Sequence, residues 1–162
     1  MRLFFHFIEE EDARLFARWH YEPPYSFYDH PDPEDIRGFM EPENHYYSIR
    51  DESGELVGFC CYGIDARVPG GDYSEASLLD VGLGMRPDLT GRGLGANLLA
   101  AILGFGKVTF PSEGFRLTVA SFNQRAIRVY ESAGFRASQR FTSLGLRPGI
   151  EFVVMTRQET VG

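Results

Sequence analysis

The sequence predicts a mixed α/β domain built on a central twisted sheet, and three features of the chain indicate this class. Apolar runs of five to eight residues, which is the length of strands, alternate with stretches that have helical periodicity. A strand that leads into a glycine-rich turn and then a helix lies in the middle of the chain. The sequence contains no internal repeat and no low-complexity segment. We therefore expect a single domain over residues 1–162, with six to seven strands and about four flanking helices.

The first half of the chain predicts a strand, two helices and a hairpin. Four acidic residues, Glu9 to Asp12, stand where a helix dipole favours negative charge, so a helix is expected to follow them. The next segment, His20–Pro33, contains four prolines and many aromatic and acidic side chains. It indicates a loop, which either covers the core or forms a wall facing a substrate. The predicted elements are the strand Leu3–Ile8, the helices Ala13–Trp19 and Glu34–Met40, and the strands His45–Arg50 and Leu56–Tyr62.

The second half predicts four strands and two helices. Leucine and isoleucine side chains from Leu94 to Ile102 recur at helical spacing, and Gly104 and Gly106 are expected to end that helix. A glycine also ends the later helix, at Gly134, and Ser121 or Asn123 is expected to cap its start. The predicted elements are the strand Leu78–Met85, the helix Gly93–Leu103, the strand Phe115–Val119, the helix Asn123–Gly134, and the strands Arg136–Ser143 and Glu151–Arg157.

The turn between the strand at 78–85 and the following helix carries glycines at positions 91, 93 and 95. Backbone N–H groups at a helix start are unpaired within the helix and lie at the positive end of its dipole, so such a turn can hold a phosphate. A Walker-type loop is excluded, because no Lys-Ser or Lys-Thr pair lies near the turn. The dinucleotide pattern G-x-G-x-x-G fits poorly, because the spacing here is G-x-G-x-G. A glycine turn without a ligand remains an alternative.

A third type of phosphate loop fits this turn better. The segment Thr90–Gly95 is similar to the acetyl-CoA pyrophosphate loop Arg/Gln-x-x-Gly-x-Gly/Ala of the GNAT N-acetyltransferase superfamily, except that Thr90 stands where Arg or Gln is preferred. The spaced residues Asn123, Ala126, Tyr130 and Gly134-Phe135 resemble that family's second signature. The order of elements resembles the GNAT fold over nearly the whole chain. The resemblance implies an acetyl-CoA-dependent N-acetyltransferase in which a primary amine attacks the thioester directly.

The resemblance also implies roles for individual residues. Tyr130 is the expected general acid for the departing thiolate, and its alternative role is packing on the sheet. Asp80 is the expected base, acting through water, although an acid on a strand can instead be ion-paired. Gly82 and Gly84 would permit close approach of a ligand to the strand. The expected cofactor-binding groups are the backbone of Leu83 and Met85 and the side chain of Asn123 on the pantetheine arm, and the amides of Gly91, Arg92, Gly93, Gly95 and Ala96 on the pyrophosphate.

The amine acceptor is expected to contact the loop after the first helix. Its acidic side chains would attract a cation and its aromatic rings would enclose a carbon chain; the candidates are Glu22, Tyr25, Tyr28 and Asp29. A formal net charge of −7 argues against a nucleic-acid partner and is compatible with a cationic amine. A non-catalytic module that senses acyl-CoA is the alternative function. Homodimers are frequent among such folds, although no segment of the sequence marks an interface.

Other classes of protein fit the sequence poorly. No Cys/His cluster has the spacing of a metal site, so we expect no metal. The two cysteines, Cys60 and Cys61, are adjacent on a predicted strand, where their side chains point to opposite faces, and we expect both to be reduced. The N-terminus lacks the pattern of a signal peptide, and no apolar run has the length of a membrane span. We therefore expect a cytoplasmic protein with no membrane partner.

Overall fold

The computed structural model describes residues 2–145 and 148–159, and in these ranges seven strands form one sheet in the order β1-β2-β3-β4-β5-β7-β6. The strands are β1 Leu3–Phe7, β2 Tyr46–Asp51, β3 Leu56–Tyr62, β4 Leu78–Met85, β5 Gly114–Ala120, β6 Arg136–Thr142 and β7 Glu151–Gln158. The helices are α1 Glu10–Ala17, α2 Arg37–Met40, α3 Gly95–Thr109 and α4 Gln124–Ser132. The predicted mixed fold, with its six to seven strands and about four helices, is confirmed.

The pairing of β4 with β5 differs from every other pairing in the sheet. These two strands are parallel, whereas the other neighbours in the described sheet are antiparallel. Parallel neighbours need a long crossover connection, and α3 supplies it. The two strands pair over only three residues each, from Leu78 opposite Gly114 to Asp80 opposite Arg116. Beyond Asp80 the two strands separate, which leaves a wedge-shaped opening in the sheet, the β4–β5 cleft.

Helix α3 is longer than predicted, because neither Gly104 nor Gly106 ends it. Gly106 is buried where the helix crosses the ring of Tyr62, and a Cβ atom built on it would lie only 2.7 Å from Tyr62 Cε1. The Tyr62 hydroxyl also donates a hydrogen bond to the carbonyl oxygen of Ile102, at 2.7 Å. The glycine therefore permits close packing of helix on sheet. Long-range packing of this kind overrides the weak helix propensity of glycine.

Helices pack on both faces of the sheet. The main core lies against α3 and α4 and contains Tyr47 and Ile102, whereas a smaller cluster, in which Phe16 meets Phe39, lies under α1 and α2 with Tyr46 at its border. Neighbouring residues of β2 thus face different clusters, as the pleat of a strand requires. No helix within the described ranges combines the length and apolar character that crossing a membrane requires.

The adjacent cysteines follow the same alternation. Cys60 and Cys61 are both free and buried, which confirms the expectation that they are reduced. Burial raises the pKa of the Cys60 thiol to about 12, and it also raises the pKa of the Cys61 thiol. Both thiols therefore stay protonated at neutral pH and act as small core side chains.

Candidate active site

The β4 wall of the cleft presents peptide groups that no neighbouring strand of the described sheet pairs with. The Asp80 carbonyl accepts a hydrogen bond from Gly63 N, and Arg86 N donates to the carbonyl of Val57, each at 2.9 Å and each on the β3 side. Peptide groups along a strand alternate in direction with a period of two residues. The peptide groups of Leu83 and Met85 therefore point the other way, into the β4–β5 cleft, where no strand pairs with them. Binding of a pantetheine arm by these two peptide groups remains a prediction.

One of these groups already has a partner within the protein. The hydroxyl of Tyr21, in the loop after α1, donates to the Met85 carbonyl oxygen at 2.8 Å. The backbone N–H of Tyr21 is held in turn by Asp29 Oδ1 at 2.9 Å. Burial, with a smaller effect of the Asp29 charge, raises the pKa of Tyr21, so its hydroxyl remains a donor. Tyr21 is not among the site residues predicted from the sequence, because only the aromatic density of the loop marks it.

The β5 wall is tied to the same loop. Ser121 N donates to the Glu151 carbonyl on the β7 side at 3.0 Å, so the preceding amide, that of Ala120, points into the cleft. Ala120 N donates to the hydroxyl oxygen of Tyr28 at 3.2 Å, and Asn123 Nδ2 donates to the same oxygen at 3.1 Å. The loop thus bonds β4 through Tyr21 and the end of β5 through Tyr28. These contacts place the loop along the cleft, and of the two alternatives considered for it they favour a wall over a cover of the core.

Asn123 serves as the cap of α4. Its Oδ1 accepts a hydrogen bond from Ala126 N at 3.1 Å, which satisfies one of the unpaired amides at the helix start. The capping role considered from the sequence is therefore confirmed. The remaining side-chain amide faces Tyr28, and contact of Asn123 with a pantetheine arm remains a prediction.

Tyr130 lies on α4, with its ring 6.2 Å from the ring of Phe135 between centroids. Burial is the main cause that raises the pKa of Tyr130, and the neighbouring Tyr28 raises it further. The hydroxyl is therefore protonated at neutral pH. Within the described ranges no hydrogen bond engages this hydroxyl, which leaves its proton available for donation.

Asp80 is held in a buried ion-pair network. Its Oδ1 accepts from Arg116 Nε at 2.6 Å, while its Oδ2 accepts from Arg116 Nη2 at 2.8 Å and from Arg67 Nε at 2.9 Å. Asp80 and Arg116 are each only 3% exposed. A water-mediated base needs a lone pair that can reach a water molecule, and here both oxygens already bind guanidinium groups. The structure therefore favours the ion-paired alternative for Asp80 over the expected basic role.

The glycine-rich turn contains two glycines with left-handed backbone. Gly91 and Gly93 have φ angles of +75° and +77°, in the left-handed region that favours glycine. Leu94 precedes α3 and supplies no side-chain cap, so the first amides of the helix are not satisfied by one. A Cβ built on Gly95 would lie 3.6 Å from a Val129 methyl group, which places the start of α3 against α4. Binding of a pyrophosphate by the amides of Gly91, Arg92, Gly93, Gly95 and Ala96 remains a prediction.

Two other glycines do not have the role expected of them. A Cβ built on Gly84 would lie 2.4 Å from Phe59 Cε1, and one built on Gly82 would lie 2.8 Å from Cys61 Sγ. Side chains of β3 therefore fill the space over both glycines. The missing side chains of Gly82 and Gly84 thus make room for the protein's own β3 side chains, and approach of a ligand to the β4 backbone remains a prediction.

The four acceptor candidates lie in different surroundings. Tyr28 reaches into the cleft, as described above. The Tyr25 ring stacks on the guanidinium of Arg125, with Arg125 Cζ 4.2 Å from the ring centroid. Asp29 Oδ2 lies 2.5 Å from His20 Nδ1, and Glu22 is exposed. Over the described ranges, no group of three His, Cys, Asp or Glu side chains is arranged to hold a metal ion.

Comparison with known proteins shows which family the chain resembles. The model of the Acetyltransferase (GNAT) family matches residues 7–135, a range that includes the glycine turn and Tyr130. The N-alpha-acetyltransferase RimI of Mycobacterium tuberculosis is 31% identical over 129 residues, which are 78% of this chain and 69% of that protein. Both matches extend over most of the fold.

Solved structures agree in fold at lower identity. The aminoglycoside acetyltransferase AAC(6')-Ib in complex with coenzyme A superposes with a TM-score of 0.75 at 19% identity, covering 98% of this chain and 95% of that chain. A chimera of the spermidine N-acetyltransferase SpeG from Vibrio cholerae and hSSAT gives 0.74 at 15% identity, covering 98% and 96%. These likenesses establish the fold.

Proposed function

Because the chain belongs to the GNAT acetyltransferase family, we propose that it transfers the acetyl group of acetyl-CoA to a primary amine by direct attack of the amine on the thioester. The observation that carries this proposal is the β4–β5 cleft. One of its walls offers the peptide group of Leu83, which no strand pairs with in the described ranges. A glycine turn that begins α3 without a side-chain cap follows the same strand. An extended arm that ends in a pyrophosphate fits that combination.

Two further features support acetyl-CoA as the donor. The fold is shared with AAC(6')-Ib, which has been solved with coenzyme A and with acetyl-CoA. The start of α3 combines backbone amides with the positive end of the helix dipole, and both favour a phosphate group. The Met85 carbonyl is engaged by Tyr21, so Leu83 is the main backbone partner that we propose for the pantetheine arm.

We propose Tyr130 as the general acid. Attack of a neutral amine on the thioester carbonyl forms the C–N bond, and breaking of the C–S bond leaves a thiolate that needs a proton. Tyr130 is protonated at neutral pH and its hydroxyl has no other partner in the described ranges, so it can deliver that proton. The attacking nitrogen carries an excess proton once the C–N bond has formed. Loss of that proton gives the neutral amide, and the phenolate recovers a proton from this nitrogen or from the solvent. Asp80 is left out of this mechanism, because its oxygens are occupied by arginine.

The acceptor class that we propose is a cationic primary amine. The proteins compared above are named for acetylation of N-terminal amines, spermidine and aminoglycosides, which are all amines. In this chain, the loop that supplies Tyr21 and Tyr28 to the cleft also carries the exposed carboxylate of Glu22. An exposed carboxylate beside an aromatic wall attracts an ammonium group and a carbon chain together.

Calorimetric titration with acetyl-CoA, with NADH as a control ligand, tests the proposal first. We expect micromolar binding of acetyl-CoA, no binding of NADH, and loss of binding in Gly93→Leu. Gly104→Ala, at an exposed position inside α3 with nothing within 4 Å of the added methyl, is the matched control and should bind normally. Thiol release is then measured with spermidine, an aminoglycoside and a peptide with a free α-amino group. If the protein binds acetyl-CoA but releases no CoA thiol with any of these amines, the non-catalytic alternative is favoured.

A further inference from the structure

We propose that Arg125, held in place by the ring of Tyr25, is a ligand for the phosphate groups of acetyl-CoA at the turn formed by residues 90–96. The inference rests on the proposed function, because it assumes that this turn binds the donor. It assigns a binding residue that lies outside the turn itself. Tyr25, which the sequence suggests as a contact of the acceptor, would instead be a positioning residue of the donor site.

The position of the guanidinium is the first argument. Arg125 is the second residue of α4, and its Cζ lies 4.2 Å from the centroid of the Tyr25 ring. On the other side, a Cβ built on Gly91 would lie 3.2 Å from Arg125 Nη1. The side chain therefore lies between the loop after α1 and the glycine turn, and the absence of a side chain at Gly91 leaves room for it.

The charge of Arg125 is the second argument. Arg116, Arg67 and Arg86 form ion pairs with carboxylates, whereas in the described ranges no carboxylate lies within ion-pair distance of Arg125. Stacking on Tyr25 uses the face of the guanidinium and leaves the N–H groups at its edge free. Two parallel N–H groups match two oxygens of a phosphate. The described contacts thus orient this cation without neutralising it.

The turn itself is the third argument. The phosphate-loop pattern begins with Arg or Gln, and this chain has Thr90 there. The Thr90 hydroxyl donates to the carbonyl oxygen of Pro87 at 2.7 Å, so it closes its own turn. Arg92 is exposed and lies near Asp88, a carboxyl whose pKa is lowered mainly by the hydrogen bond from Arg86 and only slightly by the charge of Arg92. Arg125 therefore brings to the turn a cation that the first residue does not supply.

Titration of acetyl-CoA into Arg125→Gln tests the proposal, with Arg128→Gln as the matched control on an exposed position of the same helix. We expect the affinity of Arg125→Gln to fall about 10- to 100-fold, which is the range for loss of a hydrogen bond to a charged group. Arg128→Gln should stay within about twofold of the unmodified protein. The affinity of Arg125→Gln should also depend less on salt, because one phosphate contact is missing.

Substitutions of Tyr25 test the positioning role. Tyr25→Ala should raise the KM for acetyl-CoA and leave the KM for the amine and kcat nearly unchanged, and Tyr25→Phe should restore the KM, because it keeps the ring face. A ring that served only the acceptor would instead change the KM for the amine. Titration with 3′-dephospho-acetyl-CoA identifies which phosphate Arg125 binds. The loss of affinity in Arg125→Gln persists with this ligand if Arg125 binds the pyrophosphate, and it vanishes if Arg125 binds the 3′-phosphate.

Two results would overturn the inference, and they differ in what they say of the proposed function. If the unmodified protein binds acetyl-CoA and Arg125→Gln binds it equally well, the role of Arg125 is refuted and the acetyltransferase proposal stands. If the unmodified protein does not bind acetyl-CoA at all, both fail together. Arg125→Lys keeps the charge but loses the planar fork, so its affinity for acetyl-CoA should lie between those of the unmodified protein and Arg125→Gln.

Discussion

The hydroxyl oxygen of Tyr28 lies 3.1 Å from Nδ2 of Asn123, and this contact joins the loop after α1 to the first turn of α4. The same oxygen accepts the amide of Ala120, whose N–H points into the β4–β5 cleft. Asn123 is also the cap of α4, the helix that carries Tyr130. A single side chain of the loop thus sets the position of the β5 wall relative to the helix that holds the proposed acid.

Tyr28→Phe should destabilise the protein by about 1 kcal/mol, because it removes the acceptor of two N–H groups. Amide exchange at Ala120 should become faster. Denaturant unfolding and hydrogen exchange measure these effects, and Tyr25→Phe is the control in the same loop, where the ring face rather than the hydroxyl makes the described side-chain contact. Equal effects of the two substitutions would mean that the Tyr28 hydroxyl does not anchor the loop.

Tyr130→Phe should lower kcat about 10²- to 10⁴-fold, the usual contribution of a general acid, with little change in the affinity for acetyl-CoA. The acid acts when protonated, and burial raises its pKa above the ordinary value of tyrosine. Deprotonation of Tyr130 should therefore cause no fall of kcat below about pH 10. Measurement of thiol release by the unmodified protein from neutral to alkaline pH checks this. Equal losses of kcat and of acetyl-CoA affinity in Tyr130→Phe would contradict the acid role.

Asp80→Asn should lower the free energy of unfolding by about 3 kcal/mol or more, because it leaves the guanidinium of Arg116 buried without its countercharge. Asp88→Asn, which alters an ion pair whose carboxylate is 61% exposed, should cost less than about 1 kcal/mol. Urea unfolding of both variants measures the difference. If Asp80→Asn instead kept its stability and lost the acidic limb of the kcat profile, the basic role of Asp80 would have to be restored.

Gly106→Ala should destabilise the protein by about 1–3 kcal/mol, because the added methyl would lie 2.7 Å from Tyr62 Cε1. Gly104→Ala, two residues earlier on the exposed side of α3, should be stabilising by about 0.4–1 kcal/mol. Thermal unfolding of the pair separates close packing from helix propensity. A stabilising effect of both substitutions would show that α3 can move away from Tyr62 at no cost.

The sequence by itself determined the order of the elements, the glycine turn before α3 and the cap at Asn123. These features depend on residues close together in the chain: apolar periodicity, a left-handed backbone at Gly93, and an Asn side chain three residues before the amide it accepts. Local chemistry of this kind can be read from a short segment, because the interacting groups are brought together by the segment's own backbone.

Only the tertiary structure decided which side chains meet in the cleft. It paired Asp80 with Arg116, brought Tyr21 to Met85, and stacked Arg125 on Tyr25. It also decided that α3 continues beyond Gly106, because the buried ring of Tyr62 packs against that glycine. These contacts join residues far apart in sequence, so no local pattern encodes them, and they depend on how the sheet brings its strands and loops together. The physical reason is that side-chain periodicity specifies which face is buried, whereas the partner on that face is specified by the fold.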